Sequence, residues 1–205
     1  MSDAPDIRPP QGGTVDITVP VYNEEDALPN TIAVLTEFLG NNLSNPWQIV
    51  IADNASTDNT RAVSEMLCGR HSGVNYLRIP QKGRGRALRT AWLDSRADIV
   101  SYMDADLSTD LSHFPQLIRS IEAGNHIAVG SRLSKESQVS RGFKREFISR
   151  GYNLLINSMF FTGLPDAQCG FKALTRATAE AIVPNIKNNN WFFDTELLVI
   201  AAKRG

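Results

Sequence analysis

Several things are scarce in this chain of 205 residues. It has two cysteines, Cys68 and Cys169, 101 positions apart. They have neither metal spacing nor the density of a disulfide framework, which fits a reducing setting. Net charge is −1, so no global field draws the chain to nucleic acid or to an anionic membrane, and any such attraction must come from a local patch. No apolar run approaches the ~20 residues that span a bilayer. Three histidines, His71, His113 and His126, stand alone, outside any motif. The first 13 residues are polar and rich in Pro and Gly and lack the apolar centre of a signal peptide, so they read as a disordered lead-in before a single domain over 14–205.

What is present is an alternation. Apolar runs at 16–21, 47–52, 74–79, 99–103 and 127–130 read as strands. Between them, 27–39, a stretch from Thr57 or Asp58 through Leu67, 85–95 and 112–122 read as helices. Short, continuously apolar strands are expected where helices cover both faces of a sheet. Repeated βα units predict an open, mostly parallel sheet, whose ligands gather beyond the carboxyl ends of the strands. The polar stretches fall there: Tyr22 to Glu25, Asp53 to Asp58, Lys82 to Arg86, Asp104 to Asp110 and Gly130 to Arg132. Singly, each also reads as turn or capping chemistry.

The densest signal is Tyr102-Met-Asp104-Ala-Asp106 at the end of the fourth strand. Two carboxylates one residue apart offer hard oxygens for Mg²⁺ or Mn²⁺, ions that retain waters and take phosphate oxygens as further ligands. The same pattern also opens turns after strands. Arg84 and Arg86 in the Gly-rich turn read equally as solvated, and a short Gly-rich turn is a weak phosphate signal. Between Arg132 and Arg150 six basic residues face two acidic ones, beside an apolar stretch from Phe147 to Phe161. That pattern suits a lipid phosphate or an anionic bilayer surface, and equally a helix packed on the sheet with a solvated charged side.

Together the motifs resemble one family. Val-Pro-Val-Tyr-Asn-Glu-Glu (19–25), Asp-Asn-Ala-Ser-Thr-Asp-Asn-Thr (53–60), Lys-Gly-x-Gly-x-Ala (82–87) and Asp-Ala-Asp-Leu (104–107) occur in the order of inverting family 2 glycosyltransferases. Ser-Arg-Gly-Tyr-Asn-Leu-Leu (149–155), Asp-Ala-Gln-Cys-Gly-Phe-Lys (166–172) and Trp-Phe-Phe-Asp-Thr-Glu-Leu-Leu (191–198) are similar to the branch that passes mannose or glucose to a polyprenyl phosphate such as dolichyl phosphate. The resemblance implies an α/β, GT-A (Rossmann-like) fold: a mostly parallel central sheet with helices on both faces.

It also implies roles. Pro20, Tyr22, Glu24 and Asp53 hold the nucleoside, and Lys82 faces the diphosphate. Asp104 and Asp106 meet the nucleotide and the Mg²⁺ or Mn²⁺, with Asp106 the closer ligand. Gln168 and Lys172 line the donor pocket, and Asp166, Asp194 and Glu196 border the sugar or keep the fold. Arg132, Arg145 and Ser149 grip the acceptor phosphate, so Asp104, Asp106, Arg132 and Arg145 carry the chemistry. Glu25 reads equally as charge at a helix N-terminus. Asp58 reads as a cap on the second helix, and Trp191 to Phe193 as closing the core. The implied donor is a nucleotide sugar, UDP-glucose ahead of GDP-mannose. The implied setting is peripheral, at the cytoplasmic face of a membrane, without nucleic acid. Two other readings stay open: a family 2 enzyme with a hydroxyl acceptor and a carboxylate base such as Asp194, and a non-catalytic relative that binds nucleotide or lipid.

Overall fold

The structure, a computed structural model, describes residues 9, 11–130 and 170–204. Six strands form one sheet: β1 (Val15–Val21), β2 (Trp47–Asn54), β3 (Val74–Ile79), β4 (Ile99–Met103), β5 (Ile127–Val129) and β6 (Phe171–Thr175). Their order is β3-β2-β1-β4-β6-β5. The β3-β2-β1-β4 pairs are parallel, while β6 runs antiparallel to both β4 and β5. The carboxyl ends of β1 to β5 and the start of β6 therefore share one edge. The predicted mostly parallel sheet is present. The sixth strand, inserted between β4 and β5, was not expected, because a lysine at its second position interrupts a short apolar run.

Among the described residues, six helices cover the faces: α1 (Leu28–Asn42), α2 (Thr60–Arg70), α3 (Arg84–Asp94), α4 (Phe114–Glu122), α5 (Arg176–Ile182) and α6 (Phe193–Arg204). On α1, Leu28, Ile32, Leu35 and Leu39 recur at helical spacing and are wholly buried. They pack with alternate strand residues (Ile17, Val19, Ile99, Met103, Phe171) and with Phe114 and Ile118 of α4. The opposite face is closed by Leu88 and Trp92 of α3, Ile182 of α5, and Phe193 and Leu197 of α6, against Val100, Tyr102 and Leu174. Each such side chain contributes roughly 1.5–3 kcal/mol when fully buried. Trp92 lies 5.9 Å from the Tyr102 ring and 6.0 Å from that of Phe193. The period-2 alternation in β4 thus sends Tyr102 to the α3/α6 side, and Lys172, its register partner on β6, lies on the same side.

Helix boundaries move for local reasons. The second helix begins at Thr60 because Asp58 spends its carboxylate on the backbone N–H groups of Thr60 (3.0 Å) and Glu25 (3.3 Å), tying two loops together. Asp58 thus serves the helix start from outside it. The predicted helix at 112–122 is a 3₁₀ turn (Leu111–His113) followed by α4, with Asp110 accepting from the Ser112 N–H and Pro115 in the first turn. The lead-in over 1–13 lies mostly outside the described residues.

Candidate active site

The loops after β1 and β2 interlock. Asn23 takes a left-handed backbone (φ 56°), and its side-chain oxygen accepts from the Thr57 N–H at 2.8 Å. The Asn23 N–H donates to Ser56 Oγ, and that of Glu24 to Thr60 Oγ1 at 2.8 Å. Glu25 accepts from the Asn59 N–H at 3.0 Å, so its charge serves the start of α2. This frame leaves Pro20, Tyr22 and Glu24 partly exposed at the rim. Lys82 reaches across from the Gly-rich turn, its Nζ 3.5 Å above the Tyr22 ring.

Asp53, at the end of β2, is fully buried. Its Oδ1 accepts from the Ser56 N–H (2.8 Å), and its Oδ2 from the Tyr76 hydroxyl (2.7 Å) and from Arg78. Burial alone would raise the Asp53 carboxyl. The donors from Ser56, Tyr76 and Arg78 outweigh it and hold the group below the usual carboxylate range. Arg78, partly exposed, covers this carboxylate from outside.

The centre of the site is a buried chain of charges. Arg84, first residue of α3, sends Nη2 to Asp104 Oδ1 at 2.6 Å and Nη1 to Asp194 Oδ2 at 2.5 Å. Its guanidinium lies 4.9 Å from the Tyr102 ring and 4.8 Å from that of Trp191. Asp194 Oδ1 accepts from Lys172 Nζ at 2.9 Å and from the Tyr102 hydroxyl. Lys172 is wholly buried and also donates to the Tyr102 oxygen at 3.2 Å. For Asp194, burial pushes the carboxyl upward, and the charges of Lys172 and Arg84 overcome it, so it stays ionised well into acid. For Arg84, burial opposes the charge, and Tyr102, Asp194 and Asp104 outweigh it. The expectation that Arg84 is as readily solvated as not is corrected: two carboxylates distant in sequence converge on it.

The Gly-rich turn serves docking. The Gly83 N–H is spent on Asn54 Oδ1, so it does not face a phosphate. The Arg86 N–H donates to the Asn189 carbonyl at 3.1 Å. A Cβ on Gly85 would sit 2.6 Å from Phe193 Cβ, so glycine lets the start of α6 close onto α3. A Cβ on Gly170 would overlap Asp104 Oδ2, so the backbone leading into β6 presses against that carboxylate.

The remaining predicted residues divide. Asp106 is exposed at the rim, accepting from the Ser108 N–H at 3.0 Å. Glu196 accepts from the N–H groups of Lys187 (3.1 Å) and Asn188 (2.9 Å) and holds the loop before α6. Phe193 closes the core as expected, but Trp191 and Phe192 are exposed and do not, Trp191 because it lies over Arg84 outside the packed layer. Arg132, Arg145, Ser149, Asp166 and Gln168 lie outside the described residues. The sequence reading missed Tyr102, Tyr76 and Arg78. The alternation of β4 gives a signal for Tyr102, and nothing local marks the other two.

Asp104 and Asp106 could offer carboxylate oxygens to a metal, and no group of three or more His, Cys, Asp or Glu residues able to hold one occurs among the described residues. Glu24 stands nearby, its carboxyl raised by burial and then by the charges of Asp106 and Asp58. Carboxylates that offer only oxygen donors fit a hard divalent ion completed by waters and phosphate oxygens.

Residues 16–183 match the model of the family described as glycosyl transferase family 2, and the chain belongs to that family. The fold is GT-A. The chain is 34% identical over 197 residues to glycosyltransferase AglD of Haloferax volcanii, a match covering 95% of this chain and 32% of that protein. It is 36% identical over 204 residues to dolichyl-phosphate beta-glucosyltransferase ALG5D of Trichomonas vaginalis, covering 93% and 62%. The chain thus spans less than two thirds of the length of these relatives. Among solved structures, glucosyl-3-phosphoglycerate synthase of Mycobacterium tuberculosis, in complex with Mn²⁺, UDP and glucosyl-3-phosphoglycerate, shares the fold with a TM-score of 0.69 at 18% identity, covering 95% of this chain and 67% of that one.

Proposed function

We propose that this domain is an inverting, metal-dependent hexosyltransferase that moves a hexose from a nucleoside-diphosphate sugar to a polyprenyl phosphate. The observation that carries this reading is the state of Asp194. It is the carboxylate best placed in sequence to serve as a base, yet Arg84, Lys172 and Tyr102 engage both of its oxygens and keep it ionised and hydrogen-bonded. A group so held is a poor proton acceptor. The acceptor must then bring its own negative charge, as a phosphate monoester does near neutral pH.

In that reaction an acceptor phosphate oxygen forms a bond to the anomeric carbon. The bond from that carbon to the diphosphate breaks, and its electron pair leaves with the nucleotide, so an α-linked donor gives a β-linked product. Asp106 and Asp104 would hold the Mg²⁺ or Mn²⁺, which supplies charge neutralisation at the diphosphate. Tyr22 and Pro20 flank the nucleoside. Asp53, locked by Arg78 and Tyr76, shapes the floor of that subsite. Lys82 stands over Tyr22, at the mouth through which a diphosphate would enter. Arg132, Arg145 and Ser149 are proposed for the acceptor phosphate, with Gln168 and Asp166 beside the sugar.

The names of the relatives favour glucose, and thus UDP-glucose over GDP-mannose. A lipid acceptor puts the reaction at a membrane surface, here assigned to the cytoplasmic face. No helix among the described residues is long and apolar enough to cross it.

The test is transfer of labelled hexose from UDP-glucose and, separately, GDP-mannose into dolichyl phosphate in detergent, with Mn²⁺ or with EDTA. Organic-extractable label with one donor, dependent on both Mn²⁺ and lipid phosphate, is the expected result. Label passing only to a saccharide or protein hydroxyl would overturn the acceptor class. Donor binding with no transfer to any acceptor would overturn the enzyme reading.

A further inference from the structure

Asp104 is the first carboxylate of the Asp-x-Asp pair, yet its charge is already matched. Its Oδ1 is paired with Arg84 Nη2 at 2.6 Å, and its Oδ2 is pressed by the backbone at Gly170. The guanidinium cannot drift off easily. Its second nitrogen is fixed on Asp194, and the Tyr102 and Trp191 rings lie on it within 5 Å. An arginine stays charged at any accessible pH, and its planar fork can serve two carboxylates at once. A divalent cation approaching Asp104 therefore meets a fixed positive charge, whereas Asp106 stands exposed at the rim. A diphosphate alters the balance, because its oxygens bind the cation and compete for the same guanidinium.

We propose that Arg84, clamped by Asp194, is the positioning residue that makes cation binding conditional on the nucleotide. It neutralises Asp104 until a diphosphate arrives to share it. This rests on the donor-site reading above. The coupling is reciprocal: nucleotide and cation tighten each other by the same factor.

The test is a titration of the full chain with Mn²⁺ followed by electron paramagnetic resonance of the free ion, without nucleotide and then with UDP. For the unaltered protein, UDP should tighten Mn²⁺ binding about tenfold or more. Arg84→Gln should bind Mn²⁺ alone about tenfold more tightly than the unaltered protein, with a smaller effect of UDP. That gain should vanish in Arg84→Gln combined with Asp104→Asn, since the released carboxylate is its source. Mn²⁺ affinity unchanged or weaker in Arg84→Gln, or a gain that survives loss of the Asp104 charge, would overturn the proposal. Should Arg84→Gln lose its cooperative melting transition, Arg84→Lys is measured instead. Its ammonium lacks the fork, so Mn²⁺ alone should again bind more tightly, and an unchanged value overturns the proposal. Failure of the unaltered protein to bind UDP strikes the donor-site reading instead, and leaves the comparison in Mn²⁺ alone to decide on Arg84.

Discussion

Arg84 and Asp194 meet across 110 residues of chain, Nη1 to Oδ2 at 2.5 Å, and join the Gly-rich turn to the first turn of α6. The contact makes the carboxyl edge of the sheet and the far end of the described chain one electrostatic unit.

Asp194→Asn should cost about 3–5 kcal/mol of stability, because it removes the negative charge that pairs with both Lys172 and Arg84 inside the fold. Urea denaturation at neutral pH measures this. The sign with pH follows from the lowered carboxyl of Asp194. Its stabilisation is present above about pH 4 and is lost as pH falls through the depressed folded value. The gap between the unaltered protein and Asp194→Asn should therefore close in acid. A gap that persists unchanged to the lowest pH at which the protein folds would contradict the ion-pair assignment.

Asp106→Asn should weaken Mn²⁺-assisted UDP-sugar binding by about 10–100-fold or more while the melting temperature stays put, since the side chain is exposed. Calorimetric titration with and without Mn²⁺ separates metal-dependent from metal-independent affinity. Wild-type affinity in this variant would remove the cation from the rim of β4.

Gly85→Ala should destabilise the protein by roughly 1–3 kcal/mol, because the new methyl would lie 2.6 Å from Phe193 Cβ. Chemical denaturation reads the loss. An unaffected midpoint would mean that α3 and α6 are not packed as described.

Tyr76 should ionise late. Burial, followed by its hydrogen bond to Asp53, pushes its phenol up to about 12. The favourable contribution is complete below about pH 10 and disappears as pH climbs through about 12. In an ultraviolet titration the Tyr76→Phe variant should lack one phenolate absorbing near pH 12. A phenolate lost in Tyr76→Phe that titrates near pH 10 would contradict the Asp53 cluster.

The strands β3 and β4 were legible to the residue, because each is a short apolar run bounded by polar turn chemistry. Positions 22–25, 53–58 and 104–106 were legible as one edge, since parallel βα units send every such loop to the same side. Lys172 hid β6: a lysine inside a strand reads as exposure until its carboxylate partner, 22 residues on, is in place. Arg84 was illegible for the same reason. In a glycine-flanked turn its charge looks solvated, and only the tertiary fold reveals the two carboxylates that hold it. Arg132, Arg145 and Ser149, proposed for the acceptor, fall outside the described residues.

The placement of β6 has a consequence for biogenesis. During synthesis β4 emerges roughly seventy residues before the strand that will cover its outer flank, and β5 has no partner among the described strands until that strand arrives. A half-made chain exposes an open sheet edge, the kind of surface that recruits foreign strands. The same late strand carries the lysine that neutralises Asp194. Asp194 follows that lysine 22 residues on, so sheet closure comes first and the charged centre is completed only when α6 has been made.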